Sequence, residues 1–411
     1  MRRVVTHLAL SVFLCFGGAA EAWQLPTHVG LTQRAAQRSN LDAWLRKQGL
    51  TEGEHELLGV LPHESHALMD GLANIDASLG VTPDHGRQPA LAWLVAGVVI
   101  EGVGIERVRN HFIDARTKTG LDERVRFDNT KAGLDGARLG LATLRDLLTG
   151  GGFDGTGMRA DAWVVHPTNP LSRPHFLEAL YRASTAADPA ARADALAHAL
   201  LCAGSIANVL ESVGAPANAH GDFAINTLKA GAPLEHWAET RYGTETPPVA
   251  VAAPSHSRLR SFFTADDGTG LADEVARDYD SPGARSHGSQ SATDVAERLL
   301  PRIAAETATL LDYLFRGSLE IGTPRYQDGV LARDVQVGSV EIGGGTLELY
   351  SEASDGRRTR LVSRPTRGGS SGEVLLAIDA DQLAKGKRLV AVYRGSDAAG
   401  EPIVLAALVT P

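Results

Sequence analysis

The sequence has few cysteines, which limits how the fold can be held together. Its 411 residues include two cysteines and three methionines, and 5% of them are aromatic. Cys15 lies in an apolar N-terminal segment, so Cys202 is the one cysteine in the rest of the chain. A disulfide within that part is excluded, and packing has to supply its stability. Cys202 lies in the apolar run AHALLCAGSIANVL, which predicts a small buried hydrophobic residue.

An excess of positive charge is also missing. The chain has 40 Lys and Arg against 49 Asp and Glu, a formal net charge of −9. A chain of this sign has no general electrostatic attraction to nucleic acid. Beyond residue 22, no run reaches the roughly 18 uninterrupted apolar residues that a membrane-spanning helix needs. We therefore expect no transmembrane segment in the mature chain.

Residues 1–22 have the pattern of a secretory signal peptide. MRRVVTH is basic, and LALSVFLCFGG is an apolar stretch too short to span a bilayer comfortably. Ala20-Glu21-Ala22 then places small residues at the two positions that a signal peptidase reads. We expect cleavage between Ala22 and Trp23, a mature chain that begins with Trp23, and a secreted or periplasmic protein.

Two regions of different texture follow. Over 23–320 apolar residues recur at helical spacing, as in LTQRAAQRSNLDAWLRKQG (31–49) and SATDVAERLLPRIAAETATLLDYLFRG (291–317), which predicts a helical domain. A break between two of its helices is expected at Asp188-Pro189. Over 326–411 short β-type runs such as TLELYS and RTRLVS alternate with turns, including Asp355-Gly356. The expected fold class is therefore mainly α, with a small C-terminal β-sandwich-like domain.

Four segments carry a family resemblance. In order they are Trp23 with the nearby His28, IEGVGIERVRNHFIDARTKTGL around His111, CAGSIANVLESVGAPANAHGDF over 202–223, and GAPLEHWAE around Glu235. Together they resemble the zinc-dependent phospholipase C and single-strand-specific nuclease superfamily. The resemblance covers roughly 23–318. It implies a secreted, phospholipase C-like helical domain that holds zinc ions and hydrolyses phosphodiesters.

The resemblance also implies a set of metal ligands. Cleavage before Trp23 would free an α-amino group, which can chelate a metal together with its own carbonyl oxygen. In the family, an N-terminal tryptophan binds zinc in this way, beside a histidine that matches His28. His111 and Glu235 match ligands of the other two zinc ions. The acid that binds zinc and is the family's proposed base has Glu101 as its candidate here.

Four family ligand positions carry other residues in this chain: Asn208, Ser212, Asn218 and Gly231. Zinc favours thiolate, imidazole and carboxylate ligands, and a neutral amide or hydroxyl oxygen binds it far more weakly. The residue at Ser212 in the family is a carboxylate shared by two zinc ions, whose charge keeps the two cations together. The remaining set is therefore expected to hold one zinc ion or none.

Two functions of different class follow. In one, the protein is a phospholipase C-like pseudoenzyme without three-zinc phosphodiesterase activity, whose β domain contacts a surface or a protein partner. In the other, it is an active metal-dependent phosphoric ester hydrolase of the phospholipase C or nuclease type, acting on phospholipid or another phosphodiester. That activity would need a rebuilt metal site, for which His220, or the helix-spaced His63, His66 and Asp70, are the candidate ligands.

Overall fold

The computed structural model describes residues 23, 25–59, 87–102, 105–125, 153–221, 234, 237–238, 253–279, 292–327, 330–338, 342–366, 376–378 and 388–409. The predicted signal peptide, residues 1–22, lies outside these ranges. So do five of the residues singled out above: Gly231, Glu235, His63, His66 and Asp70.

The described part of the chain is mainly helical up to residue 314. Its helices are α1 (Leu25–Arg38), α2 (Leu41–Lys47), α3 (Ala90–Gly102), α4 (Ile105–Val108), α5 (Ala160–Trp163), α6 (Arg173–Thr185), α7 (Pro189–Val213), α8 (Pro216–Ala219), α9 (Leu259–Phe263), α10 (Leu271–Asp278) and α11 (Ala292–Leu314). Two short antiparallel strand pairs lie between them, β1 (Leu57–Leu58) with β2 (Gln88–Pro89), and β3 (Asp122–Val125) with β4 (Phe153–Thr156).

Two helix boundaries follow directly from the local sequence. The predicted break at Asp188-Pro189 is confirmed, because α6 ends at Thr185 and α7 begins at Pro189. Proline suits this place, since the first turn of a helix does not need its N–H. The long helix α11 ends at Leu314, and Gly317 follows with φ 85°. Glycine adopts this left-handed conformation at low cost, so it lets the chain leave the helix direction.

The last part of the chain consists of antiparallel strands. In one sheet, β6 (Val330–Gly338) pairs with β5 (Ser318–Gln327) and with β9 (Leu376–Ile378). The other has the order β11 (Pro402–Val409), β10 (Arg388–Asp397), β7 (Ile342–Glu352) and β8 (Arg358–Thr366). The predicted hairpin at Asp355-Gly356 is confirmed, with Gly356 at φ 80° between β7 and β8. The predicted fold class, mainly helical with a small C-terminal β part, is also confirmed.

By its internal contacts the chain divides into two compact units. The first consists of Met1–Arg38, Val95–Ser172 and Gly204–Leu310, and the second of Ser39–Leu94, Arg173–Ala203 and Leu311–Pro411. All candidate metal-site residues that the structure describes belong to the first unit. In the second unit, the aromatic rings of Phe176 and Phe315 pack edge to face, with centroids 5.3 Å apart.

One helix has a composition that a membrane span would also show. By length and apolar content, α7 (Pro189–Val213) could cross a bilayer, but 78% of its most apolar window is buried inside the protein. The core helix of a folded domain meets the same criterion. Burial on this scale explains why the run around Cys202 is so apolar, and Cys202 is buried as predicted.

The four-stranded sheet has a compact apolar face that can be tested by mutation. Leu349 on β7 is fully buried there beside Leu347 and Tyr393. Leu349→Ala should lower the free energy of unfolding by about 2–5 kcal/mol, because it removes buried apolar area and leaves a cavity. Urea unfolding measures the change. Thr359→Ala, at an exposed position of β8, should cost less than about 0.5 kcal/mol, and equal losses for the two variants would contradict this packing.

Candidate functional site

A buried polar cluster forms where three segments of the first unit meet. α1 supplies His28, α3 supplies Glu101, and His111 follows α4. The C-terminal half of α7 supplies Asn208 and Ser212, which lie four residues apart and therefore on one helix face. All five side chains are buried. The structure thus brings together five of the residues that the sequence singled out.

The hydroxyl of Ser212 lies between two imidazole rings. Its Oγ is 3.1 Å from Nδ1 of His111 and 3.5 Å from Nε2 of His28. The amide oxygen of Asn208 also lies 3.5 Å from this hydroxyl. The position that carries a zinc-bridging carboxylate in the resembled family therefore holds a hydroxyl at the centre of the cluster.

Each imidazole has a carboxylate on its other side. Nε2 of His111 lies 3.2 Å from Oε1 of Glu101, and Nδ1 of His28 lies 2.8 Å from Oε2 of Glu211. The result is a continuous series of carboxylate, imidazole, hydroxyl, imidazole and carboxylate. We call these five residues, Glu101, His111, Ser212, His28 and Glu211, the histidine network.

Glu101 accepts four hydrogen bonds in a site that water does not reach. Besides His111, its Oε1 accepts from Trp163 Nε1 at 2.7 Å. Its Oε2 accepts from Ser205 Oγ at 2.6 Å and from the guanidinium of Arg107 at 2.5 Å. Burial alone would raise the pKa of Glu101, but the interaction with His111, the charge of Arg107 and the hydrogen bond from Ser205 outweigh it and lower the pKa to about 2. Glu101 is therefore an anion at neutral pH.

The charge on Glu101 fixes where the protons of His111 lie. Burial lowers the pKa of His111, so its ring is neutral at neutral pH. A carboxylate can only accept, so the single N–H of that ring is on Nε2 and points to Glu101. Nδ1 is then an acceptor, and it receives the hydroxyl proton of Ser212.

The other end of the network shares a proton in a different way. Nε2 of His28 lies 3.5 Å from the hydroxyl of Ser212. The 2.8 Å contact between His28 Nδ1 and Oε2 of Glu211 needs a proton between the two atoms, because a carboxylate oxygen can only accept. Burial raises the pKa of Glu211, although His28 and Thr32 oppose it.

The buried side chain of Trp23 contacts the Glu211 end of the histidine network. Its indole is fully buried, and Nε1 donates to the backbone carbonyl of Glu211 at 3.0 Å. Thr32 on α1 donates to Oε1 of the same glutamate at 2.8 Å. The chelate predicted for a free amino group of Trp23 depends on cleavage after residue 22, and it stays a prediction. Glu235 as a ligand stays a prediction as well.

Two of the substituted positions hold the backbone around the network. Asn208 Nδ2 donates to the carbonyl of Val98 on α3 at 3.3 Å. Asn218 Nδ2, on α8, donates to the carbonyl of His111 at 3.0 Å. Both asparagines are fully buried. Their amides therefore stabilise the segments that carry Glu101 and His111.

The sequence left several members of the site unrecognised. Glu211 is part of the histidine network, and four further residues donate hydrogen bonds to its two carboxylates: Thr32, Ser205, Trp163 and Arg107. A signal for Glu211 was present, because it is the one acidic residue in the apolar run over 195–213. An isolated acid in such a run is almost never buried without a partner. His220 lies apart, and its Nε2 donates to the carbonyl of Tyr279 at 2.9 Å.

The donor set does not fit zinc. At the centre, the imidazole nitrogens of His28 and His111 are joined by a neutral hydroxyl and a neutral amide, whereas zinc sites use at least three imidazole, thiolate or carboxylate ligands. Both carboxylates lie on the far sides of the rings. Among the residues that the structure describes, no three His, Cys, Asp or Glu side chains are grouped to hold a metal ion.

The network also resembles a hydrolase triad in its order of groups, but not in its access. A carboxylate, an imidazole and a hydroxyl in series can activate a serine for attack. Ser212 is only 2% exposed, and its oxygen is enclosed between two imidazoles. A buried hydroxyl held in this way is suited to structure and proton sharing rather than to nucleophilic attack.

Comparisons with known proteins give distant structural likenesses. No family model and no curated protein sequence matches this chain. Among solved structures, alpha toxin from Clostridium absonum aligns with a TM-score of 0.34 and 12% identity, over 93% of this chain and 92% of that one. Clostridium perfringens alpha-toxin from avian strain SWCP aligns with a TM-score of 0.30 and 11% identity, over 95% and 98%. At such low TM-scores neither likeness decides what this chain does.

Proposed function

We propose that this chain is a secreted, phospholipase C-like helical protein in which a hydrogen-bonded network replaces the zinc centre. The observation that supports it is the hydroxyl of Ser212, which lies 3.1 Å from His111 and 3.5 Å from His28. A hydroxyl that is hydrogen-bonded to both imidazoles occupies the ring nitrogens that a metal ion would otherwise bind. We propose no three-zinc phosphodiesterase activity for this protein.

The outer carboxylates support the same proposal. Metal-bound histidines usually donate their second N–H to a carboxylate, which orients the ring. Glu101 and Glu211 make contacts of this kind with His111 and His28. These contacts match those that orient histidines at metal sites, whereas Ser212 between the two rings supplies no anionic ligand, and both features support the proposal. Without that charge, two neighbouring dications would repel each other.

A protein of this kind would act by binding rather than by hydrolysis. We propose that its partner is a phospholipid surface or a protein, and that the C-terminal β part makes the contact. The alternative is an active metal-dependent phosphoester hydrolase whose ligands include residues outside the described ranges, such as Glu235, or His63 and His66. The two functions differ in metal content and in chelator sensitivity.

Metal content therefore tests the proposal. The purified mature protein, incubated with zinc and then desalted, should retain much less than one zinc per chain by mass spectrometry. Hydrolysis of bis(4-nitrophenyl) phosphate should equal that of a buffer blank, and EDTA should change neither the rate nor the melting temperature. One or more tightly held zinc ions together with EDTA-sensitive hydrolysis would overturn the proposal and favour the rebuilt-site alternative.

A further inference from the structure

The outer edge of strand β8 is open to solvent in the second unit. β8 lies at one end of the four-stranded sheet, and among the described strands it pairs with β7 alone. Its residues 359–360 and 363–365 are exposed, although β7 beside them is buried over 347–352. Successive residues of a strand point to opposite faces, so consecutive exposed residues mean that both faces of β8 reach solvent. This exposure is typical of a sheet edge.

The backbone along this edge can take up a further strand. At the hairpin end, the N–H of Arg358 donates to the carbonyl of Ala187 at 3.1 Å, so that position is already occupied. At the other end, Pro365 has no N–H, which is why proline occurs on edge strands. We call the residues between them, 359–364, the open edge. An extended peptide alongside the open edge would form main-chain hydrogen bonds with it.

A β-bulge places arginines on both faces of the open edge. In the register with β7, Arg360 is opposite Tyr350 and Arg364 is opposite Leu347, with a shift between Leu349 and Tyr350. Directly opposite residues of antiparallel strands share a face of the sheet. Tyr350 and Leu347 are three residues apart and therefore lie on opposite faces. A strand added beside β8 would thus meet one arginine on each of its own faces.

The open edge carries positive charge that a partner can use. Residues 357–366 contain four arginines and no acidic residue, in a chain whose formal net charge is −9. Arg364 is exposed and has no acidic partner in the part of the chain that the structure describes. Arg360 is 59% exposed, and its Nη1 contacts Glu348 at 3.1 Å, which leaves other N–H groups of the guanidinium to solvent. A carboxylate is the group that complements such donors.

The same charges argue against two other occupants. Antiparallel pairing of β8 with β8 of a second copy would bring arginines of the two copies together, and like charges on neighbouring strands destabilise a sheet. A flat anionic surface would meet the arginine of one face, because Arg360 and Arg364 lie on opposite faces. An extended peptide rich in Asp or Glu matches both the free backbone and the two arginines.

We propose that the open edge binds an extended acidic segment of a partner protein as an added β-strand, with Arg360 and Arg364 pairing with carboxylates on its two faces. This inference rests on the proposed function, in which the C-terminal β part makes the contact, and it specifies the chemistry of the partner. Main-chain hydrogen bonds supply affinity, and the arginines select an acidic sequence. Because these charges are exposed, added salt weakens the binding.

Calorimetric titration of the full chain with short synthetic peptides tests the proposal. The acidic probe has pairs of glutamates separated by single valines, so that both faces of the added strand carry carboxylates. One control peptide replaces each glutamate with lysine, and the other keeps the glutamates but replaces each valine with proline, which removes N–H groups. We expect one-to-one binding of the acidic probe, weakened at least about tenfold by either replacement, a difference of about 1.4 kcal/mol.

Two results of this titration would overturn the proposal. Equal binding of the proline peptide would mean that charge acts without strand addition. No binding of the acidic probe at millimolar concentration would mean that the arginines serve to prevent edge-to-edge aggregation, as charged residues on edge strands commonly do.

Charge reversal localises the binding. Arg364→Glu should weaken the acidic probe at least about fivefold, because an attraction between exposed charges becomes a repulsion. Lys47→Glu, at an exposed position of α2 in the same unit, is the matched control and should leave the affinity unchanged. Hydrogen exchange on the wild type covers the case in which Arg364→Glu fails to fold. The probe should slow exchange within 359–364, and protection confined to other segments would contradict the proposal.

Vesicles of phosphatidylglycerol separate a protein partner from a lipid surface. We expect the acidic probe to bind more tightly than the vesicles and to lose affinity in Arg364→Glu. Vesicle binding that requires Arg364, with no binding of the acidic probe, would overturn the added strand in favour of a lipid surface. The proposed function would survive that result, since the zinc content of the protein tests it independently.

Discussion

Glu101→Gln should lower the free energy of unfolding by about 3–5 kcal/mol, the range found when one partner of a buried ion pair is removed. In the wild type, the carboxylate accepts from Arg107, Ser205, His111 and Trp163. A neutral amide cannot pair with the guanidinium, and its NH₂ group would face donors instead of acceptors. Denaturant unfolding of the two proteins measures the loss.

An exposed carboxylate provides the control for this prediction. Asp266→Asn, in the same unit, changes a side chain that is open to solvent, and it should cost less than about 0.5 kcal/mol. A loss below about 1 kcal/mol for Glu101→Gln would mean that the four hydrogen bonds do not form together.

The same residue gives the wild type a distinct response to acid. The pKa of Glu101 is about 2 in the folded protein, against an ordinary value of 4.5 for a glutamate. The anion therefore stabilises the fold fully above pH 4.5, and this contribution is lost as the pH falls toward 2. The difference in stability between wild type and Glu101→Gln should shrink over that interval. A difference that stays constant from pH 5 to pH 2.5 would contradict the assignment.

Sequence patterns predicted the helices and strands well where local rules decide them. Pro189 and Asp355-Gly356 mark boundaries that the structure has, because their backbone preferences act over a few residues. Apolar residues recur at helical spacing through 31–49, but this segment is divided between α1 and α2. At the break, Ser39 Oγ accepts the N–H of Leu41, and the N–H of Asn40 donates to Asp312. A partner 272 residues away is not visible in a local pattern.

The candidate site was predicted in part for a similar reason. The resemblance identified His28, His111, Asn208 and Ser212, and the structure places them together. The resemblance assigned metal ligands only, so it could not reveal which side chains the histidines contact instead of a metal ion. Glu211 was missed although it is next to Ser212 in sequence. A spacing argument assigns one function to each position and says nothing about a neighbour on the adjacent helix face.

Ser212→Asp should convert the histidine network into a zinc site. The new carboxylate would lie between Nε2 of His28 and Nδ1 of His111, the two nitrogens that now contact the hydroxyl. Two imidazoles and a carboxylate are a sufficient protein ligand set for one zinc. Glu101 and Glu211 already orient the rings from behind, as carboxylates do at natural zinc sites. We expect about one zinc per chain, against much less for the wild type.

The effect of zinc on the stability of the Ser212→Asp variant is a second measurement of the same site. Without metal, the variant should be less stable than the wild type, because a third buried carboxylate lies near Glu101 and Glu211 without a cation. Zinc at about a thousand times its dissociation constant should then add about 4 kcal/mol, seen as a rise in melting temperature that EDTA reverses. Ser212→Asn has nearly the same shape but no charge, and it should show neither effect. Equal zinc in the two variants would mean that the imidazoles do not converge on this position, and the replacement of a zinc centre by the hydroxyl of Ser212 would then have to be abandoned.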